Sequence, residues 1–254
     1  MYPFLITFLA GMGAGLGTGL AGLSAAAVIS PMLIVFLDFP AYQAVGIALA
    51  SDVLASGISA YTYSKNKHID IRNGIVMMAA VLLFTAIGSY LASYIPDAAM
   101  GSFSIFTTFL VGLKFLLKPV NTTETAAKNV DPKKRMIQSI IAGILVGLVA
   151  GIVGAGGGMM ILIILTSILG YELKTAVGTS VFIMTFTALT GAVSHFAIDG
   201  MPDLTILLFC VVSTLVWALV GASFANKAST KALNRATGIV LTVLGALIIF
   251  VNYL

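Results

Sequence analysis

A ladder of glycines at helical spacing occurs twice in this chain, and the two copies lie 132 residues apart. The ladder glycines are Gly11, Gly15, Gly19 and Gly22 in the first copy and Gly143, Gly147, Gly151 and Gly154 in the second. The same offset carries Ala44-Val45-Gly46 onto Ala176-Val177-Gly178. After one inserted residue, further glycines match, Gly88 with Gly221 and Gly112 with Gly245. The sequence therefore predicts two homologous repeats, a construction that many transporters share.

Composition places the chain in a membrane. Of its 254 residues, 59% are hydrophobic and only 9% are charged, and the mean hydropathy is +1.10. A soluble domain carries about 25% charged residues. The charges occur in short clusters between long apolar runs, which predicts an all-α, polytopic membrane protein. The net charge of +4 lies in loops, so it indicates topology and not nucleic-acid binding.

Polar positions divide the chain into eight apolar segments. They cover roughly 4–37, 41–64, 73–95, 98–118, 136–170, 173–198, 203–226 and 230–252. Segments 4–37 and 136–170, which carry the ladders, would each be about 51 Å long as one helix, against a hydrocarbon core of about 30 Å. Each must therefore tilt and kink strongly, or break and fold back.

The charge clusters predict the domains and the orientation. The predicted domains are a first transmembrane repeat at 1–118, a basic linker at 119–135 and a second transmembrane repeat at 136–254. By the positive-inside rule, the basic clusters 65–72, 114–135 and 227–235 are cytoplasmic.

Counting crossings then favours hairpins. Three segments separate 114–135 from 227–235, so both clusters lie on one side only if segment 136–170 enters and leaves on the same side. With the same fold for 4–37, each repeat is a hairpin plus three transmembrane helices. The repeats are then inverted in topology, with both termini outside. The alternative is four plus four single crossings with parallel repeats and one loop that violates the charge rule.

The ends of the ladders are the candidate binding site. The stretches Ala21–Ser24 and Gly154–Gly158 are poor continuous helix, and a break frees backbone N–H groups at the start of the following half-helix. A helix N-terminus with exposed amides binds anions, and Ser24 could cap the first one. The candidate substrate-binding residues here are Gly22, Ser24, Gly154, Gly156, Gly157 and Gly158. The lower rungs Gly11, Gly15, Gly143 and Gly147 are instead expected to be helix-packing surface.

Asp52 is the only acidic residue deep inside an apolar segment. A carboxyl within the membrane is costly, which makes Asp52 a candidate site for a coupling H+ or Na+. The alternative is a protonated carboxyl bonded to Ser51, Ser56 or a backbone carbonyl. The equivalent position in the second repeat is Met184, so the two halves differ chemically.

Hydroxyl groups supply further candidates. Thr179, Ser180 and Ser51 follow the two hairpins, and hydroxyls can donate to an oxyanion without a charge to desolvate. The alternative is that they bond the carbonyl four residues earlier in their own helix. Tyr63 and His195 lie near segment ends, where the sequence favours anchoring at the membrane interface.

The second ladder resembles a known family. The stretch Gly147-Leu-Val-Ala-Gly-Ile-Val-Gly-Ala-Gly-Gly-Gly-Met159, followed by Ala176-Val-Gly-Thr-Ser180, is similar to the sulfite exporter TauE/SafE family of membrane permeases. The first repeat carries a weaker form of the pattern. The family commonly has a proline soon after the triple glycine. Here Ile163 stands where the first repeat has Pro31, which leaves the kink of the second hairpin open.

The resemblance implies a prokaryotic inner-membrane permease that moves sulfite, an organosulfonate or a related small anion. A secondary transporter explains the duplication and the broken helices, and the alternatives are an anion channel or a transporter of another small organic anion. An enzyme is the weakest reading, because only Asp52 is deeply placed, and no Walker sequence is present. We expect no cofactor, no metal and no nucleic-acid partner. The expected partners are the anion, the bilayer and H+ or Na+, and a homodimer is left open.

Overall fold

The computed structural model describes residues 2–96, 132–154 and 157–229, with single positions at 99, 113, 117 and between 231 and 250. The described helices are α1 (Tyr2–Ala21), α2 (Ala26–Leu37), α3 (Ala41–Lys65), α4 (Ile71–Ala92), α5 (Pro132–Val153), α6 (Gly157–Ile163), α7 (Leu173–Asp199) and α8 (Leu204–Lys227). No strand occurs in this part of the chain, which confirms the predicted all-α class. The predicted segment 98–118, most of 119–135 and of 230–252, and Gly112, Gly156 and Gly245 lie outside the described residues.

Both long segments break where the ladders end. Residues 22–25 separate α1 from α2, and Gly154 follows α5 directly. Gly22 and Gly154 adopt φ angles of 64° and 68°, a left-handed conformation that glycine accepts without a steric penalty. Each closes the preceding helix with the same bond, Gly22 N–H to the Thr18 carbonyl and Gly154 N–H to the Ala150 carbonyl, both 2.9 Å.

The helices define two ends of a bundle. At the first, the Tyr42 end, the start of α3 meets the ends of α4 and α7: the Tyr42 hydroxyl donates to the Ser89 carbonyl, and its ring lies 4.1 Å from that of His195. At the second, the Tyr63 end, the end of α3 leads to His68, whose ring nitrogen contacts Asn226 near the end of α8.

The broken segments are hairpins. Helix α8 starts at the Tyr42 end, and α1 runs beside it in the same direction, with Gly11 opposite Ser213 and Gly19 opposite Ala222. Helix α2 returns to the Tyr42 end, because α3 begins there only four residues after α2 ends. The hairpin of α5 and α6 enters and leaves at the Tyr63 end, where the Tyr171 hydroxyl donates to Asp70.

The ladders are packing surfaces between the two halves of the chain. Gly15 lies against Thr214 and Ala218 of α8, and Gly147 lies against Val81 and Phe84 of α4. A Cβ atom on Gly147 would be 2.5 Å from the Val81 carbonyl oxygen, so the two backbones approach more closely than any side chain allows. The structure thus gives the lower rungs the packing role that the sequence predicted.

Helices α3 and α7, which the 132-residue offset makes equivalent, run antiparallel. Gly46 lies near His195, Gly57 near Thr185, and Tyr63 near Gly178. Inverted repeats require antiparallel equivalent helices, and both the inverted repeat and its orientation in a bilayer stay predictions.

The second hairpin is irregular although it lacks the family's proline. Directly after Ile163, the backbone leaves the α-helix for a π-helical turn at Ile164–Ile168. In the first hairpin, Pro31 sits inside α2, which stays α-helical. A π turn widens the hydrogen-bonded ring and changes the direction of the chain, so the second half-helix departs from a straight α-helix by another route.

The lengths of the helices and their exposed apolar side chains are typical of a multi-pass membrane protein. In the described part, six helices are long and apolar enough to cross a membrane. Large apolar side chains of α8 are exposed along one face, among them Leu208, Val212 and Val216. The Tyr63 end carries five basic residues (Lys65, Lys67, Arg72, Lys174 and Lys227) and two acidic ones (Asp70 and Glu172), whereas the Tyr42 end carries Asp38, Asp199 and Asp203.

Candidate functional site

The two breaks cross each other in the middle of the bundle. The Gly22 carbonyl lies opposite Gly158, where an added Cβ would be 2.5 Å away, and the Ala26 side chain lies opposite Gly154. Between these contacts the Ser24 hydroxyl donates to the Gly154 carbonyl at 2.9 Å. The structure therefore brings together Gly22, Ser24, Gly154 and Gly158, which sequence analysis had proposed as one site.

Backbone amides are available at the first break. In the first turn, the N–H groups of Ala27, Val28 and Ile29 donate to the carbonyls of Ser24 and Ala25. The Ser24 and Ala25 N–H groups donate to no carbonyl among the described residues. The Ser24 hydroxyl accepts from the Ala26 N–H at 3.3 Å, so it caps the helix in part. Amides that donate to no carbonyl at the positive end of a 12-residue helix attract negative charge.

Asp52 faces this helix start. Its side chain is fully buried, the Thr18 hydroxyl lies 3.5 Å from Oδ1, and the Ser24 hydroxyl and Ala25 N–H also face the carboxyl. Its Oδ2 has no hydrogen-bond partner among the described residues. Neither Ser51 nor Ser56 bonds the carboxyl, because their hydroxyls donate to the Ile47 and Asp52 carbonyls.

The side of the crossing that α7 forms is chemically different from the side that carries Asp52. The Ser180 hydroxyl donates to the Val177 carbonyl at 2.9 Å and lies 3.4 Å from the Gly22 carbonyl, so it belongs to the crossing. A Cβ on Gly157 would lie 3.5 Å from the sulfur of Met184, the residue at the position equivalent to Asp52. The crossing thus has one face with a carboxyl and one with a thioether.

Two predicted residues do not join the crossing. The Thr179 hydroxyl accepts from the Asp70 N–H at 3.0 Å and so holds the connection that precedes α4. The Ser51 hydroxyl donates within its own helix. Gly156 lies outside the described residues.

The sequence suggested that Tyr63 and His195 anchor the protein at the membrane interface, but both side chains are buried in the bundle. They are 0% and 1% exposed, and each contacts a ladder carbonyl, that of Gly19 or of Gly151. The signal was present in the sequence, since the two residues are 132 positions apart. Thr18 was also missed, although it lies one helical turn before Gly22.

A cavity of about 440 Å³ opens at the Tyr42 end, between Pro40, Pro96 and Asp199. Tyr42 forms part of its wall, and His195 behind that ring contacts the Gly151 carbonyl. Gly151 precedes Gly154 by three residues. The paired rings of Tyr42 and His195 therefore connect the cavity wall to the helix that ends at the second break.

Comparison with known proteins agrees with this architecture. The family model described as sulfite exporter TauE/SafE matches residues 7–248. The probable membrane transporter protein YdhB of Bacillus subtilis is 26% identical over 98% of this chain and 100% of its own length. A probable membrane transporter protein of Methanocaldococcus jannaschii is 24% identical over 96% of this chain and 94% of its own. No solved structure matches the chain. The chain belongs to the sulfite exporter TauE/SafE family of membrane transporters.

Proposed function

We propose that this membrane transporter is a secondary transporter of a small sulfur-containing oxyanion such as sulfite or an organosulfonate, and that Asp52 couples the movement to H+ or Na+. The observation that carries the proposal is the crossing of the two breaks, where the Ser24 and Ala25 N–H groups donate to no carbonyl and the Ala25 N–H faces the buried Asp52 carboxyl.

An anion suits the crossing for electrostatic reasons. The start of α2 presents its positive dipole end, the Ser24 N–H, which donates to no carbonyl among the described residues, and the Ala25 N–H, which faces Asp52. The Ser24 and Ser180 hydroxyls lie at the same crossing and donate to the Gly154 and Val177 carbonyls. Backbone amides bind an oxyanion without a full positive charge, so the site holds no buried cation when the anion is absent. Weak, donor-rich binding also suits transport, because the anion must leave as well as enter.

The position of Asp52 supports coupling. A carboxyl in the middle of a membrane bundle is costly unless it binds a proton or a cation. It faces the same helix start as the proposed anion, so occupation of one site alters the other. This is the condition for two ligands to be coupled.

The ends of the bundle support an orientation in the prokaryotic inner membrane. The Tyr63 end, with its lysines and Arg72, would face the cytoplasm, and the Tyr42 end would face outside. The cavity beside Asp199 would then be an external vestibule leading towards the second break.

A binding screen tests the proposal. Purified protein is heated with sulfite, alkyl sulfonates, sulfate and small carboxylates, with and without sodium, and uptake of the stabilising anion is then measured in proteoliposomes. A ligand at 100 times its Kd raises stability by about 2.7 kcal/mol. Ser24→Ala should weaken both effects, while Ser59→Ala should not, because the buried Ser59 hydroxyl bonds only its own helix. Stabilisation by carboxylates alone would contradict the proposed substrate class, and unsaturable flux would indicate a channel.

A further inference from the structure

The start of α2 is already occupied by a side chain of the protein, the Asp52 carboxyl. The Asp52 carboxyl faces the Ala25 N–H, a donor that an external oxyanion would use, and the Ser24 hydroxyl beside it. When Asp52 is ionised, its negative charge lies where the negative charge of the substrate would lie. Like charges that share a few donors in a low-dielectric site exclude each other.

No counter-charge relieves this conflict in the described part of the chain. The groups that face the carboxyl are Thr18 of α1 and Ser24 and Ala25 of the connection, and none is charged. Titratable side chains on the surrounding helices are engaged elsewhere or lie at the bundle ends. Tyr63 donates to the Gly19 carbonyl, His195 contacts the Tyr42 and Gly151 carbonyls, Cys210 is buried on α8, and Arg72 and Lys227 lie at the Tyr63 end.

The Oδ2 oxygen of Asp52 allows protonation of this carboxyl to favour anion binding. Oδ2 is buried and has no partner among the described residues. A protonated carboxyl can donate one hydrogen bond, which an ionised carboxylate cannot do. Protonation would therefore turn Asp52 from a competitor of the anion into a further donor to it.

We propose that the Asp52 carboxylate and the transported anion are alternative occupants of the α2 N-terminus, so that an anion binds only after Asp52 takes up a proton, and one proton travels with each anion. This inference rests on the proposed function and selects H+ over Na+ as the coupling ion. The proton comes from the solvent, binds a carboxylate oxygen and returns to the solvent when the anion leaves.

The test measures proton uptake on binding. Methanesulfonate is the probe because it stays a monoanion throughout the accessible pH range, so any pH dependence belongs to the protein. Titration calorimetry in two buffers of different ionisation heat should show about one proton taken up per anion above the pH at which Asp52 ionises. In that range the affinity should weaken about tenfold per pH unit, as linkage to one proton requires.

Variants assign the proton to Asp52. Asp52→Asn is neutral at every pH, so it should bind methanesulfonate with a pH-independent affinity and take up no proton. Ser59→Ala, on the same helix, should retain the pH dependence. If Asp52→Asn does not fold, uptake by the unmodified protein still tests whether one proton binds with each anion, and the absence of uptake would overturn the proposal.

The failures are distinguishable. Methanesulfonate binding without proton uptake, or with an affinity that follows sodium instead of pH, would overturn this inference and leave the proposed transporter intact. If no sulfonate or other anion binds the unmodified protein at any pH, the proposed function itself fails.

Discussion

Tyr63 and His195 hold equivalent ladder carbonyls by equivalent contacts. The Tyr63 hydroxyl donates to Gly19 at 3.1 Å, and Nε2 of His195 lies 3.1 Å from the Gly151 carbonyl, with both partners of the second pair 132 residues after those of the first. Nδ1 of His195 also lies 3.2 Å from the Tyr42 carbonyl. Each ladder helix thus contacts the helix that follows its own hairpin, and the contact lies one turn before the break.

Removing either of these side-chain contacts should destabilise the bundle. Tyr63→Phe leaves the Gly19 carbonyl without this buried donor, which costs about 1–3 kcal/mol. His195→Phe should cost a similar amount, because a neutral imidazole has one N–H and can donate to only one of the two carbonyls that it contacts. Thermal unfolding in detergent measures both. Tyr61→Phe is the matched control, since Tyr61 is 57% exposed on the same helix. Equal melting temperatures for Tyr63→Phe and Tyr61→Phe would show that the Gly19 contact contributes nothing.

The ladders should not tolerate a methyl group. In Gly147→Ala the new Cβ would be 2.5 Å from the Val81 carbonyl oxygen, which is backbone and cannot rotate away. Overpacking of this kind costs about 1–3 kcal/mol and should separate α5 from α4. Gly57→Ala is the comparison, because its Cβ would meet only Thr185 at 3.6 Å. Alanine is the better helix former by about 1 kcal/mol, so Gly57→Ala should be neutral or stabilising in the same melting experiment.

The first break should depend on glycine for its conformation. Gly22→Ala combines a φ of 64° with a Cβ that would collide with the Ser180 hydroxyl, so it should displace Ser180 and weaken anion binding as well as stability. Gly200→Ala also places alanine at positive φ, but nothing lies within 4 Å of its Cβ. A loss of anion affinity in Gly22→Ala alone assigns the effect to the crossing. Equal loss in both variants would assign it to general destabilisation.

The sequence predicted the helices and the breaks, because both follow from local chemistry. Apolar length set the segments, and the glycines at 22 and 154 ended the helices where left-handed backbone was needed. It singled out Asp52 because an acid in an apolar run stands out, and the coupling role of that carboxyl stays a prediction.

It could not assign Thr179, because a hydroxyl in an apolar run has the same appearance whether it faces a cavity or the Asp70 N–H. It also misplaced Tyr63 and His195, because position near a segment end does not reveal burial by neighbouring helices. Which side chains meet across the bundle is decided by the crossing of the hairpins, and no local pattern encodes that geometry.

The orientation in the membrane can be tested by cysteine labelling. In a Cys210→Ala background, Asn66→Cys and Ser229→Cys lie at the Tyr63 end, and Met201→Cys, at a residue 66% exposed, lies at the Tyr42 end. The positive-inside rule places the Tyr63 end in the cytoplasm. An impermeant maleimide added to intact cells should therefore label only Met201→Cys, and the other two should react after the cells are opened. A cysteine at Thr122 in the basic linker should behave like Ser229→Cys.

Labelling of Asn66→Cys and Ser229→Cys from opposite sides would contradict the hairpins and restore the model of four plus four single crossings. Labelling of both from outside would keep the hairpins and reverse the orientation.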